Sequence, residues 1–138
     1  NHRFGLWDEI LVKDNHWIAM RKLLEETRCR YLGKRLTPVK RKRVPVEVEV
    51  ENLAQLSHLL EGVLPIDRIL FDNFPSSKLR HAVRQVRHSG RNYQLEASGG
   101  ITLRNVRKMA RTGVDRISVG ALTHSAPALD FSLSLRSR

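Results

Sequence analysis

Between residues 44 and 51 the chain reads VPVEVEVE, which puts Val44, Val46, Val48 and Val50 on one side of an extended strand and Glu47, Glu49 and Glu51 on the other. Four further short apolar runs follow the same logic, near 9–13, 66–72, 91–97 and 116–120. Helical periodicity fills the gaps between them. Leu53, Leu56, Leu59 and Leu60 form a stripe after Asn52, a residue suited to cap a helix, and Leu79, Val83 and Val86 form another after Pro75 and Ser76. Leu103, Val106, Met109 and Ala110 form a third, opened by Thr102 and closed by Gly113. All three stripes read as core. Strand and helix thus alternate in five βα units, the pattern of an α/β protein with a parallel sheet.

At 138 residues the chain can form one domain with its own core. Five units are too few to close an eight-stranded barrel, so an incomplete TIM-like α/β barrel and an open doubly wound sheet both accommodate the pattern. In either architecture a strand is covered on both faces, and a row of glutamates then needs partners or a purpose. The segment Arg28 to Arg43 breaks the rhythm with Gly33, Pro38 and the run KRKR at 40–43, and reads as an exposed loop carrying solvated charge. The chain starts at Asn1 and enters a strand almost at once, which predicts a piece cut from something longer.

Charge narrows the partners. Lys and Arg number 25 against 14 Asp and Glu, a formal +11, and such a field favours phosphates, nucleic acid or acidic lipid. A basic nucleic-acid-binding module is therefore one alternative, weakened by an aromatic content of 6% and by the lack of any aromatic within KRKR. The single cysteine, Cys29, excludes an internal disulfide framework and a cysteine-built zinc site, and fits the reducing cytoplasm. No apolar run reaches the roughly 18 residues of a membrane span, so no membrane partner is expected.

In parallel sheets chemistry collects where strands run into helices, at their carboxyl ends. Each predicted strand ends in a polar or glycine-rich turn: VKDNH at 12–16, EVE at 49–51, FDNF at 71–74, EASGG at 96–100 and SVGALTHS at 118–125. Ser98, Gly99 and Gly100, followed by a helix starting at Thr102, suit an anion, because glycine backbone can approach it at a positive helix end; an ordinary helix-entry turn looks the same. Gly120, with Thr123, His124 and Ser125, offers a second such turn. Glu49 and Asp72 end consecutive strands, which lie about 4.8 Å apart, so their carboxylates can share a magnesium ion or grip sugar hydroxyls, or serve as caps and ion-pair partners. His2, Arg3 and Lys13 either line an anionic-substrate pocket or are separate surface residues. His58, His81 and His88 fall on helices and receive no role.

Taken together, NHRFGLWDEILVKDNH at 1–16, VEVEVENL at 46–53, ILFDNF at 69–74, LEASGGI at 95–101 and SVGALTHSAPALDFSL at 118–133 resemble the quinolinate phosphoribosyltransferase family, in order and over nearly the whole chain. The resemblance implies a TIM-like barrel. It also implies transfer of phosphoribose from phosphoribosyl pyrophosphate to quinolinate, with magnesium, giving nicotinate mononucleotide, carbon dioxide and pyrophosphate on the way to NAD. Residue by residue, it assigns His2, Arg3 and Lys13 to the basic pocket for the quinolinate carboxylates and pyrophosphate, and Glu49 and Asp72 to the ribose hydroxyls and the metal. Ser98, Gly99, Gly120 and His124 would cradle the 5-phosphate, and Lys13, Glu49 and Asp72 would carry catalysis. Glu47 then lies deeper with a basic partner, while Glu51 sits at the turn. Family proteins carry an N-terminal α/β domain, the first barrel strands and an Arg-Lys pair ahead of the region matched here. The chain is thus expected to be the C-terminal part, inactive by itself, of an enzyme that forms dimers or higher homo-oligomers. A same-fold transferase with another acceptor is the remaining alternative.

Overall fold

The alternating strand at 46–50 lies second in a sheet of five parallel strands, in a computed structural model that describes residues 8–13, 15–16, 34–38, 44–62 and 64–122. The strands are β1 (Ile10–Val12), β2 (Val46–Val50), β3 (Arg68–Asp72), β4 (Gln94–Ser98) and β5 (Arg116–Ile117). They pair in chain order, β1-β2-β3-β4-β5. A doubly wound sheet reverses its strand order at a switch point, whereas a barrel wall adds each strand beside the last. The sequential order therefore selects the barrel-type arrangement, and the sheet is open among the described residues.

Among the described residues, a helix follows each of β2, β3 and β4 and covers one face of the sheet: α1 (Leu53–Glu61), α2 (Ser76–His88) and α3 (Val106–Ala110). Asn52 caps α1 as expected, its side chain accepting the Gln55 N–H at 2.9 Å, while Gln55 accepts the Glu51 N–H at 2.7 Å. The strand starts are tied by aspartates from the next strand over. Asp67 accepts the Val46 N–H at 2.8 Å, and Asp115 accepts the Leu95 N–H at 2.7 Å while forming a two-pronged contact with Arg87. These bonds occupy backbone donors that the ladder has not yet reached.

The core lies between the helices and the outer face of the sheet. Val46, Val48 and Val50 are wholly buried there, with Ile69, Phe71 and Leu95 from the neighbouring strands and Leu56, Leu59, Leu79 and Val86 from the helices. Burying each such side chain contributes about 1.5–3 kcal/mol. The opposite, axis-facing side carries the glutamates, as the alternation predicts. Glu47 is fully buried, and the guanidinium of Arg68 bonds Glu9 while standing 3.8 Å from Glu47. Gln94 accepts from the same guanidinium. A basic partner deep in the sheet thus holds Glu47, which is the place expected for it.

Three expectations change. Regular helix α3 begins at Val106 rather than Thr102, preceded by a capped turn over 102–105 in which the Thr102 carbonyl accepts from the Asn105 and Val106 N–H groups and the Asn105 side chain accepts the Thr102 N–H. Leu103 consequently points outward and is 89% exposed, and Ala110 is exposed as well, so the third stripe reaches the core only through Met109 and Val106. The last strand ends at Ile117, not at 120, and Gly120–Leu122 is a short 3-10 turn. Finally, residues 34–38 are helical rather than looped, since Leu36 is buried in the core cluster and anchors that segment. The KRKR run and Cys29 lie outside the described residues.

Candidate active site

The axis-facing positions at the carboxyl end of the sheet bring several of the expected residues together. Extending the β1–β2 register by one residue sets Lys13 level with Glu49, and their Nζ and Oε2 atoms are 3.9 Å apart. The Glu49 side chain is 10% exposed and the Lys13 side chain 50% exposed, so the anion is recessed and the cation reaches over it. His16 fixes the turn beneath, its Nδ1 accepting the Lys13 N–H at 3.0 Å.

Glu49 and Asp72 share this face but are not level. Glu49 stands opposite Leu70, and Asp72 lies two residues further along β3. Their Cα atoms are therefore separated by about 8 Å rather than by one strand spacing, a stagger set by the β2–β3 register. One cation can meet both carboxylates only from between them, with water or ligand oxygens completing its shell. The Asp72 carboxylate accepts from the Asn73 amide at 2.7 Å.

The two turns predicted to receive an anion do meet. Ser98, Gly99 and Gly100 after β4, and Ser118 and Gly120 after β5, line one cleft of about 420 Å³. Its walls are pinned from behind. Glu96, 1% exposed, accepts the Ser118 hydroxyl and lies 3.9 Å from the Arg116 guanidinium. Asn105 donates to the Gly100 carbonyl at 3.0 Å. Thr102, at the start of the capped turn that leads into α3, also lines the cleft.

His2, Arg3 and His124 lie outside the described residues, as do Thr123 and Ser125. Lys13, Glu49, Asp72, Ser98, Gly99 and Gly120 all occupy the carboxyl end of the sheet. Sequence reasoning passed over Asn73, Glu96, Asn105 and Ser118. Asn73 was visible in FDNF, as a residue tolerant of left-handed backbone between an aspartate and Phe74-Pro75, while Glu96 and Ser118 are brought together only by the β4–β5 pairing and Asn105 by a local turn.

Comparison with known proteins decides the family. The model described as quinolinate phosphoribosyl transferase, C-terminal domain, matches residues 1–134. The chain belongs to the quinolinate phosphoribosyltransferase family. It is 40% identical over 135 residues to the probable nicotinate-nucleotide pyrophosphorylase [carboxylating] of Bacillus subtilis, covering 98% of this chain and 43% of that protein. The same identity and coverage of this chain hold for the nicotinate-nucleotide pyrophosphorylase [carboxylating] of Mycobacterium leprae, 44% of which is covered. The crystal structure of the enzyme so named from Ehrlichia chaffeensis superposes with a TM-score of 0.71 at 34% identity, over 90% of this chain and 41% of that one. This chain therefore spans less than half the length of the relatives it matches. Membership in the quinolinate phosphoribosyltransferase family does not favour the nucleic-acid alternative. No helix among the described residues is long and apolar enough to cross a membrane.

Proposed function

We propose that the complete protein carrying this chain transfers phosphoribose from phosphoribosyl pyrophosphate to quinolinate. The ring nitrogen bonds to the anomeric carbon as pyrophosphate leaves; the bond to the neighbouring carboxylate then breaks to release carbon dioxide, and the ring carbon takes up a proton from water to give nicotinate mononucleotide. The observation that carries this reading is the match over residues 1–134, combined with the gathering of Lys13, Glu49, Asp72 and the Ser98–Gly99 turn at one end of the sheet.

Each proposed role follows from the ligand's charge. Lys13, with His2 and Arg3, would face the carboxylates of quinolinate and the pyrophosphate, which together demand fixed cations. Glu49 and Asp72 would hold the ribose hydroxyls. As the pyrophosphate departs, the sugar gains oxocarbenium character, and carboxylates recessed from water stabilise it. Ser98, Gly99, Gly120 and His124 would receive the 5-phosphate, and the cleft between the two turns is large enough for it.

Magnesium fits the donor set. Among the described residues no group of three or more His, Cys, Asp or Glu could hold a metal; Glu49 and Asp72 would supply two carboxylate ligands, with water and substrate oxygens as the rest of the shell. When bound, it would neutralise the departing pyrophosphate. We further propose that the complete protein works in the cytoplasm as a homodimer or higher homo-oligomer; the single cysteine of this chain suits a reducing compartment.

The test is to incubate the complete protein with carboxyl-labelled quinolinate, phosphoribosyl pyrophosphate and magnesium, following labelled carbon dioxide and nicotinate mononucleotide. Formation of both in equal amounts is expected, whereas residues 1–138 alone should yield neither. Absence of product from the complete protein rejects the reading.

A further inference from the structure

Asn73 is the one residue other than glycine with positive φ among the described residues, at 54°. Asparagine tolerates this left-handed conformation better than most side chains, but it persists only where the surroundings hold it. Three contacts do so. The Asn73 N–H donates to the Ser98 carbonyl at 2.9 Å, so the residue that follows β3 is bonded to the residue that ends β4. Its side-chain amide donates to Oδ2 of Asp72 at 2.7 Å, a short charge-assisted bond. The remainder of the amide lies against Gly99, so closely that a Cβ on that glycine would stand 2.2 Å from the Asn73 Oδ1 and 2.8 Å from the Asn73 backbone nitrogen.

One side chain therefore touches both parts of the candidate site: the carboxylate at the end of β3 and the glycine turn at the end of β4. We propose that Asn73 is a positioning residue that fixes the Asp72 carboxylate relative to the Ser98–Gly100 turn, and so sets the spacing at which the ribose and the 5-phosphate of one ligand are held. This rests on the functional reading given above for Asp72 and the turn. In such a ligand a single methylene joins the sugar ring to the 5-phosphate, so the protein groups that meet them must keep a matching separation. Strand pairing sets that separation coarsely. Asn73 sets it finely, since its amide commits one oxygen of Asp72 and leaves the other to a ligand. Asn73 is exposed, and water competes for its amide. The left-handed backbone, pinned by Ser98, is what keeps the amide over Asp72.

Two substitutions in the complete protein separate this role from simple support of the fold. Asn73→Gly keeps the backbone conformation and removes the amide. Asn73→Asp keeps shape and left-handed tolerance but replaces the donor with a carboxylate oxygen. In each, the dissociation constant for phosphoribosyl pyrophosphate, measured by titration calorimetry with magnesium, and the matching KM are expected to rise roughly 10- to 100-fold. The dissociation constant for quinolinate should stay within about twofold, because the amide acts on the sugar side alone. Unchanged phosphoribosyl pyrophosphate binding in either folded variant overturns the proposal, and so does an equal loss of both ligands, which marks a merely structural residue. If the unsubstituted protein neither binds nor turns over phosphoribosyl pyrophosphate, the underlying reading falls and this inference with it. Normal turnover beside unaffected variants removes this inference alone.

Discussion

Lys13 and Glu49 face each other across the β1–β2 pair, Nζ to Oε2 at 3.9 Å, with the lysine half exposed and the glutamate recessed. An ion pair of this exposure contributes little to stability, about 0–1 kcal/mol. Its placement at the carboxyl end of the sheet makes chemistry the better reason for it. In the complete protein, Lys13→Ala and Glu49→Ala should each lower turnover by roughly 100-fold or more, as loss of a group stabilising transition-state charge does. Lys13→Ala should shift the urea unfolding free energy by no more than about 1 kcal/mol. Near-normal rates for both variants would remove these residues from the mechanism.

Arg68 has the opposite character. It is 8% exposed, and its guanidinium serves Glu9, Glu47 and Gln94 at once. Arg68→Ala leaves two recessed carboxylates without that cation, and breaking a buried pair from one side costs about 3–5 kcal/mol. Chemical denaturation of the variant should show that loss, with the largest share restored when Glu47→Gln is added.

The outward turn of Leu103 gives a paired test of packing. Leu56 is wholly buried beneath α1, whereas Leu103 is 89% exposed although both were expected in core stripes. Leu56→Ala should destabilise by about 2–5 kcal/mol, while Leu103→Ser should stay within about 0.5 kcal/mol. A comparable loss in both would place Leu103 back in the core.

Gly90 and Gly99 both take positive φ, at 71° and 86°, but only Gly99 meets a neighbour. Gly90→Ala should cost about 1–2 kcal/mol, the strain of left-handed backbone alone. Gly99→Ala must in addition displace Asn73, so its unfolding free energy should fall further and its affinity for phosphoribosyl pyrophosphate should drop. Equal effects at the two positions, measured by unfolding and by titration, would mean that the Asn73 contact carries no weight.

Much of this fold was legible because its signals are local. The valines of 46–50, the Asn52 cap and the stripe of α2 each depend on a few neighbours in the chain, and each appears where periodicity put it. The third stripe misled because Leu103 falls in the turn at 103–105 and faces solvent, while the regular helix starts only at Val106. Helical spacing does not say where a capped first turn passes into regular helix. Residues 34–38 misled for a different reason: Gly33 and Pro38 signal a loop, while one buried leucine, Leu36, decides for helix through contacts far away in sequence.

The sequence by itself determined which residues line each face of each strand and which chemistry stands at the strand ends, since a period of two and a glycine-rich turn are properties of adjacent residues. Only the tertiary structure decided how those ends combine. Sequential parallel pairing chose a barrel wall over a doubly wound sheet, and the β2–β3 register set Glu49 and Asp72 two residues out of step. The β3–β4 register brought Asn73 onto Gly99. Strand order and register arise from hydrogen bonds between segments distant in the chain, and a shift of one residue leaves every local pattern intact while moving every side chain to the other face.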